Sequence, residues 1–104
     1  MRVTITARHC DVAPELRERA RVLVERLTRV ARRSLHAQVL FIADHGEAAV
    51  DLRLHAARGR VYVARAEAVD HQSALDRAAA RVRRQLDKVA PPTRRRRASA
   101  REAP

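Results

Sequence analysis

The chain of 104 residues carries 23 Lys+Arg against 12 Asp+Glu, a formal net charge of +11 and a pI near 11.7. Its length suits a single domain, and its one cysteine, Cys10, excludes a disulfide scaffold and points to a reducing compartment. The excess of positive charge points to a polyanionic partner, nucleic acid before a membrane surface, while the scarcity of aromatics (Phe41 and Tyr62) argues against base stacking as the binding mode.

Taken in chain order, Arg2 to Arg8 alternates, with Val3, Ile5 and Ala7 on one side and Arg2, Thr4, Thr6 and Arg8 on the other. This period of two, rich in β-branched residues, predicts a half-buried strand. Asp11-Val12-Ala13-Pro14-Glu15 then reads as a helix start, with proline suited to the first turn and glutamate to the positive end of the dipole. Leu16, Ala20, Leu23, Leu27 and Val30 keep one apolar stripe on a helix ending near Arg33. On its outer face Glu15 and Arg19, and Glu25 and Arg29, stand at i,i+4 and are expected to pair.

His36 to Asp44 reads as a mostly apolar strand, His45-Gly46-Glu47 as a turn, and Ala49 to Ala56 as an alternating strand. Arg58-Gly59-Arg60 turns the chain again, and Val61 to Glu67 forms the last strand, so three strands make an antiparallel meander. Asp70 caps a second helix running to about Val89. The predicted class is α+β with the order β-α-β-β-β-α. A right-handed crossover makes the first two strands parallel, giving a four-stranded mixed sheet with both helices packed on one face. The other face is expected to show Thr4, Thr6, Asp51, Arg53, His55 and Arg65.

The second helix is the most informative element. Leu75, Ala79, Val82, Leu86 and Val89 share one face, while Arg77, Arg81, Arg84 and Lys88 line up on the opposite one. Like charges in a column repel, and Asp87, best placed for Arg83, relieves only part of this. Such a column matches phosphates spaced along a nucleic-acid backbone. The competing reading is a solvated face in a chain whose taste for arginine and alanine reflects codon bias.

Nothing else forms a site. His9, His36, His45, His55 and His71 show no metal-ligand spacing, and Cys10 has no second thiol. His9 and Cys10 are neighbours that would point to opposite faces, and no Gly-rich phosphate loop is present. The expectation is therefore no enzyme, no cofactor, no metal and no small-molecule substrate. Residues 91–104 open with Pro91-Pro92 and contain Arg94 to Arg97. They read as a disordered tail after a domain at 1–90, serving either as a phosphate-binding arm or only for solubility.

With these residues in order, the chain resembles the bacterial ribosome hibernation-promoting factors, also called ribosome-associated inhibitors or the sigma-54 modulation protein family. The resemblance covers roughly residues 1 to 90. It rests on the opening strand Val3-Thr4-Ile5-Thr6, Glu15-Leu16-Arg17-Glu18, the pair Arg26-Leu27, Ala66-Glu67, and Asp70 with Ala74-Leu75-Asp76. Most specific is Arg81-Val82-Arg83-Arg84-Gln85-Leu86-Asp87-Lys88. The chain departs from the family at Gln72 and at Val30-Ala31, where aromatic residues are usual.

The resemblance implies a cytoplasmic translation inhibitor of the short form, without the separate dimerisation domain of the long form. Such a protein binds the small ribosomal subunit near the decoding region and occludes mRNA and tRNA in stationary phase or stress. It also implies rRNA contacts by Arg81, Arg84, Lys88 and Arg26, to which the helical column adds Arg77. A monomer off the ribosome is expected. Two other readings of the same residues stay open: a general double-stranded RNA or DNA binder, and a protein-interaction regulator whose arginines serve solubility.

Overall fold

A computed structural model describes residues 2–30 and 33–88. The expected tail at 91–104, with Arg94 to Arg97, and the helix end at Val89 lie outside the described residues. The elements are β1 (Arg2–Arg8), α1 (Pro14–Val30), β2 (Ser34–Asp44), β3 (Glu47–Ala56), β4 (Val61–Ala68) and α2 (His71–Lys88). The fold is α+β, with a mixed sheet in the order β1-β2-β3-β4.

β1 and β2 run parallel, with Arg2 opposite His36 and Arg8 opposite Ile42. A parallel neighbour needs a crossover, and α1 supplies it. β2, β3 and β4 form the antiparallel meander, in which Val39 faces Leu52 and Asp51 faces Arg65. His45 and Gly46 form the whole of the first turn, at φ +50° and +79°, so Glu47 already pairs with Asp44. Two consecutive positive φ values identify the two-residue hairpin turn whose twist matches that of the strands. Glycine takes the second position without strain, whereas His45 is an L-residue in left-handed space. The second turn is a 3-10 segment at Ala57–Gly59, where Arg58 also has a positive φ.

One face of the sheet packs against both helices. Phe41, Leu52, Leu54, Leu75, Leu86, Val24, Val39, Val50 and Val82 are the largest fully buried side chains. No polar or charged residue among those described is buried with them. Where α2 crosses β4, the buried residues are small: Ala64, Ala66, Ala74 and Ala78. Small side chains let a helix lie close to a sheet, and this brings the flank of α2 within arginine's reach of the β4 edge. Asp70 caps α2: its Oδ1 accepts from the Ser73 amide at 2.7 Å and its Oδ2 from the Ser73 hydroxyl at 3.2 Å. Those bonds, the amide first, lower the Asp70 pKa from its ordinary value.

Candidate nucleic-acid interface

Arg77, Arg81, Arg84 and Lys88 all lie exposed along one flank of α2. Ala74 and Ala78 are buried as well, so the apolar face is wider than the stripe and borders this flank, whose long side chains reach over β4. There the column does structural work. Arg77 Nη1 donates to the Glu67 carbonyl at 2.9 Å, Arg81 Nη1 to the Arg65 carbonyl, and Gln85 Nε2 to the Val63 carbonyl at 2.7 Å.

The spacing explains why three successive contacts fit. Four residues of helix advance about 6.0 Å and two residues of strand about 6.6 Å. Residues 77, 81 and 85 therefore keep step with carbonyls 67, 65 and 63, helix and strand running in opposite directions. β4 is an edge strand, and these are the carbonyls its missing neighbour would have used. Arg17 Nη1 makes a longer contact of 3.4 Å to the Ile5 carbonyl on β1, the opposite edge.

Arg77 and Arg81 are thus anchored to the main chain as well as charged. Each spends one N–H on the main chain. A guanidinium has five N–H donors, so the charge and most of the donors of each stay turned to solvent. Arg84 and Lys88 project from the same flank, and among the described residues the hydrogen bonds from this flank to β4 come from Arg77, Arg81 and Gln85. Gln85, one i+4 step beyond Arg81, is a third contact of this set that charge alone does not single out.

Arg26 is not brought to this flank. It lines the groove between the helices together with Arg19, Leu23, Ala80 and Arg83, on the other side of α2. Arg83 Nε donates to Asp87 Oδ1 at 3.2 Å, as its i+4 spacing predicted. Arg19 does not turn to Glu15. It forks onto Asp76 of α2, with Nε–Oδ1 at 3.1 Å and Nη2–Oδ2 at 3.0 Å. The hydrogen bond and then the charge of Asp76 raise the Arg19 pKa further. A bidentate pair between helices fixes their mutual rotation better than an i,i+4 pair within one helix.

Cys10 and His71, distant in sequence, meet at the end of β2. The thiol lies 3.5 Å from the Phe41 carbonyl and 3.9 Å from His71 Nε2. His71 Nε2 is 2.9 Å from the Ile42 carbonyl, which only accepts, so that nitrogen carries a hydrogen and is no base for the thiol. The pair straps the two helix starts to β2. Among the described residues no group of three or more His, Cys, Asp or Glu is arranged to hold a metal, and no helix is long and apolar enough to cross a membrane.

Against known proteins, the profile of a family described as sigma 54 modulation protein / S30EA ribosomal protein matches residues 3–91. A solved ribosomal subunit interface protein from Coxiella burnetii is 23% identical, with a TM-score of 0.71, covering 86% of this chain and 97% of that one. The N-terminal domain of Thermus thermophilus Protein Y is 20% identical, with a TM-score of 0.74, covering 86% and 99%. At such identities the likeness is one of fold. No curated protein sequence matches.

Proposed function

The chain belongs to the sigma 54 modulation protein / S30EA ribosomal protein family, and from that membership and its basic α2 flank we propose that it associates with the ribosome by binding rRNA of the small subunit. The carrying observation is the placement of Arg77, Arg81, Arg84 and Lys88 on one exposed flank, two of them steadied by β4 carbonyls. An arginine already held by one N–H loses less side-chain entropy when a phosphate arrives. Phosphate contacts position a protein without reading sequence, so the flank supplies affinity while the shape of the site supplies selectivity.

In this reading the domain acts by occupancy. It sits near the decoding region, where mRNA and tRNA would otherwise bind, and silences translation under stress in the cytoplasm, with no bond made or broken. Arg26 contributes from the groove between the helices, beside Arg83, as a second and separate contact.

The test is co-sedimentation with purified small subunits. Arg84→Glu with Lys88→Glu reverses two charges on the flank while leaving the Arg77, Arg81 and Gln85 contacts to β4 in place. This variant is expected to fold normally and to leave the subunit pellet. Undiminished binding by a folded variant would overturn the assignment.

A further inference from the structure

The uncovered face of the sheet is organised in rows across the strands, set by the pairing register. One row runs Arg2, His36, His55, Val61, and the next Thr4, Gln38, Arg53, Val63. A shallow hollow of about 250 Å³ opens in the middle of this face, lined by Thr4, Thr6, Arg8, Gln38, Asp51 and Arg53 among others. That is below the roughly 300–1,000 Å³ of sites for drug-sized ligands, and suits one planar group.

At the floor of the hollow stands an unexplained atom. Asp51 Oδ1 is buried yet accepts no hydrogen bond, the one such side-chain atom among the described residues. Arg53 Nε forms an ion pair with it at 3.6 Å, too far to donate a hydrogen bond. The side chain as a whole is 18% exposed, so an incoming donor has a path to it. Leaving a buried acceptor unmade costs free energy, so a donor that reaches this oxygen, from solvent or from a ligand, is favoured there.

The neighbouring row adds an aromatic surface that composition concealed. His36 and His55 stack with ring centroids 5.2 Å apart and planes 17° from parallel. His55 Nε2 lies 3.4 Å from Gln38 Oε1, which holds the ring upright. Imidazoles serve as stacking platforms for unpaired bases. Arg2, Arg8 and Arg53 stand exposed on this face and give it the positive charge that a phosphate backbone requires.

We propose that the open sheet face is a second RNA-binding surface, specific for single strands, in which Asp51 accepts from the exocyclic amine of one base seated in the hollow. The inference rests on the RNA-binding reading above and places a further contact on the opposite side of the domain. Single strands are favoured over duplex because a lone buried acceptor needs a Watson–Crick edge, which pairing hides. The amine also discriminates among bases: cytosine, adenine and guanine carry one, and uracil carries none.

Fluorescence anisotropy of the full chain with short oligo(rC) and oligo(rU) is the direct test. Oligo(rC) should bind about tenfold tighter, the size of one good base-edge contact. Asp51→Ala should bring the ratio to one, and His36→Ala with His55→Ala should weaken both oligonucleotides. Arg84→Glu with Lys88→Glu should lose small subunits yet keep the preference for oligo(rC), so the two surfaces fail separately. Equal binding of the two oligonucleotides by the wild-type chain overturns the proposal, whatever the variants do. So does equal competition by duplex RNA, and so does an Asp51→Ala variant that keeps the preference.

Discussion

Arg77 reaches over the rim of the sheet and donates through Nη1 to the main-chain carbonyl of Glu67, 2.9 Å away. A residue that periodicity marks as a ligand contact thus also closes an exposed strand edge. Unpaired edges invite pairing with other chains, and a charged side chain laid along one blocks it.

Removing that guard should make the protein self-associate. Arg77→Ala with Arg81→Ala uncovers the Glu67 and Arg65 carbonyls without touching the core. Light scattering at rising concentration should show this variant associating while Arg84→Ala with Lys88→Ala, of equal charge loss, stays as the wild type. Matching behaviour of the two variants would mean that charge alone, and not the edge contacts, keeps copies apart.

Affinity for small subunits should fall steeply with salt. Neutralising about four phosphates gives a slope of log K against log salt of about −3. Arg77→Lys with Arg81→Lys preserves the charge but replaces the fork that bridges a carbonyl and a phosphate by a single ammonium. The slope should therefore stay the same while the affinity drops at every salt concentration, a distinction that a titration in potassium chloride resolves.

Much of this architecture is legible in the chain, and the exceptions share a cause. Arg2 to Arg8 alternates without interruption, and β1 has those bounds. The α2 stripe at Leu75, Ala79, Val82 and Leu86 is buried as its period requires. Boundaries slipped where local chemistry overrides pattern: His45 and Gly46 complete their turn in two residues, so β3 begins at Glu47 and not Ala49. What one-dimensional spacing does not carry is where long side chains end. Arg19 prefers Asp76, 57 positions away, to Glu15, and the α2 column bends onto β4. The hollow at Asp51 was hidden for the same reason, because it needs three strands in register before it exists.

The core should be intolerant of truncation. Leu52 is 1% exposed and faces Val39 across the strand pair. Leu52→Ala removes buried methyl groups and leaves a void, at a cost of about 2–5 kcal/mol in chemical denaturation. In so small a domain that is a large part of the whole stability.

The cap at Asp70 predicts an acid-dependent stability. Its bonds to Ser73 lower its pKa below the ordinary 3.8, so its contribution is present above that value and is lost as pH falls through the lowered one. Asp70→Ser keeps a capping oxygen that does not titrate. The gap in thermal midpoint between wild type and this variant should hold steady near neutrality and narrow only below about pH 4. A gap that narrows at neutral pH would implicate some other group.

The parallel pairing of β1 with β2 governs the order in which the chain assembles. During synthesis β1 emerges first, yet the partner that its main chain needs is more than thirty residues behind it. The meander and α2, by contrast, are contiguous, and their hairpins close short loops at little entropic cost. The nucleus is thus expected at β2 to β4 with α2, and β1 docks last through the α1 crossover. Ile5→Val, on the last strand to arrive, should then speed unfolding and leave refolding unchanged. Val50→Ala, within the meander, should slow refolding. A domain built this way is finished only when its first-made strand finds the sheet.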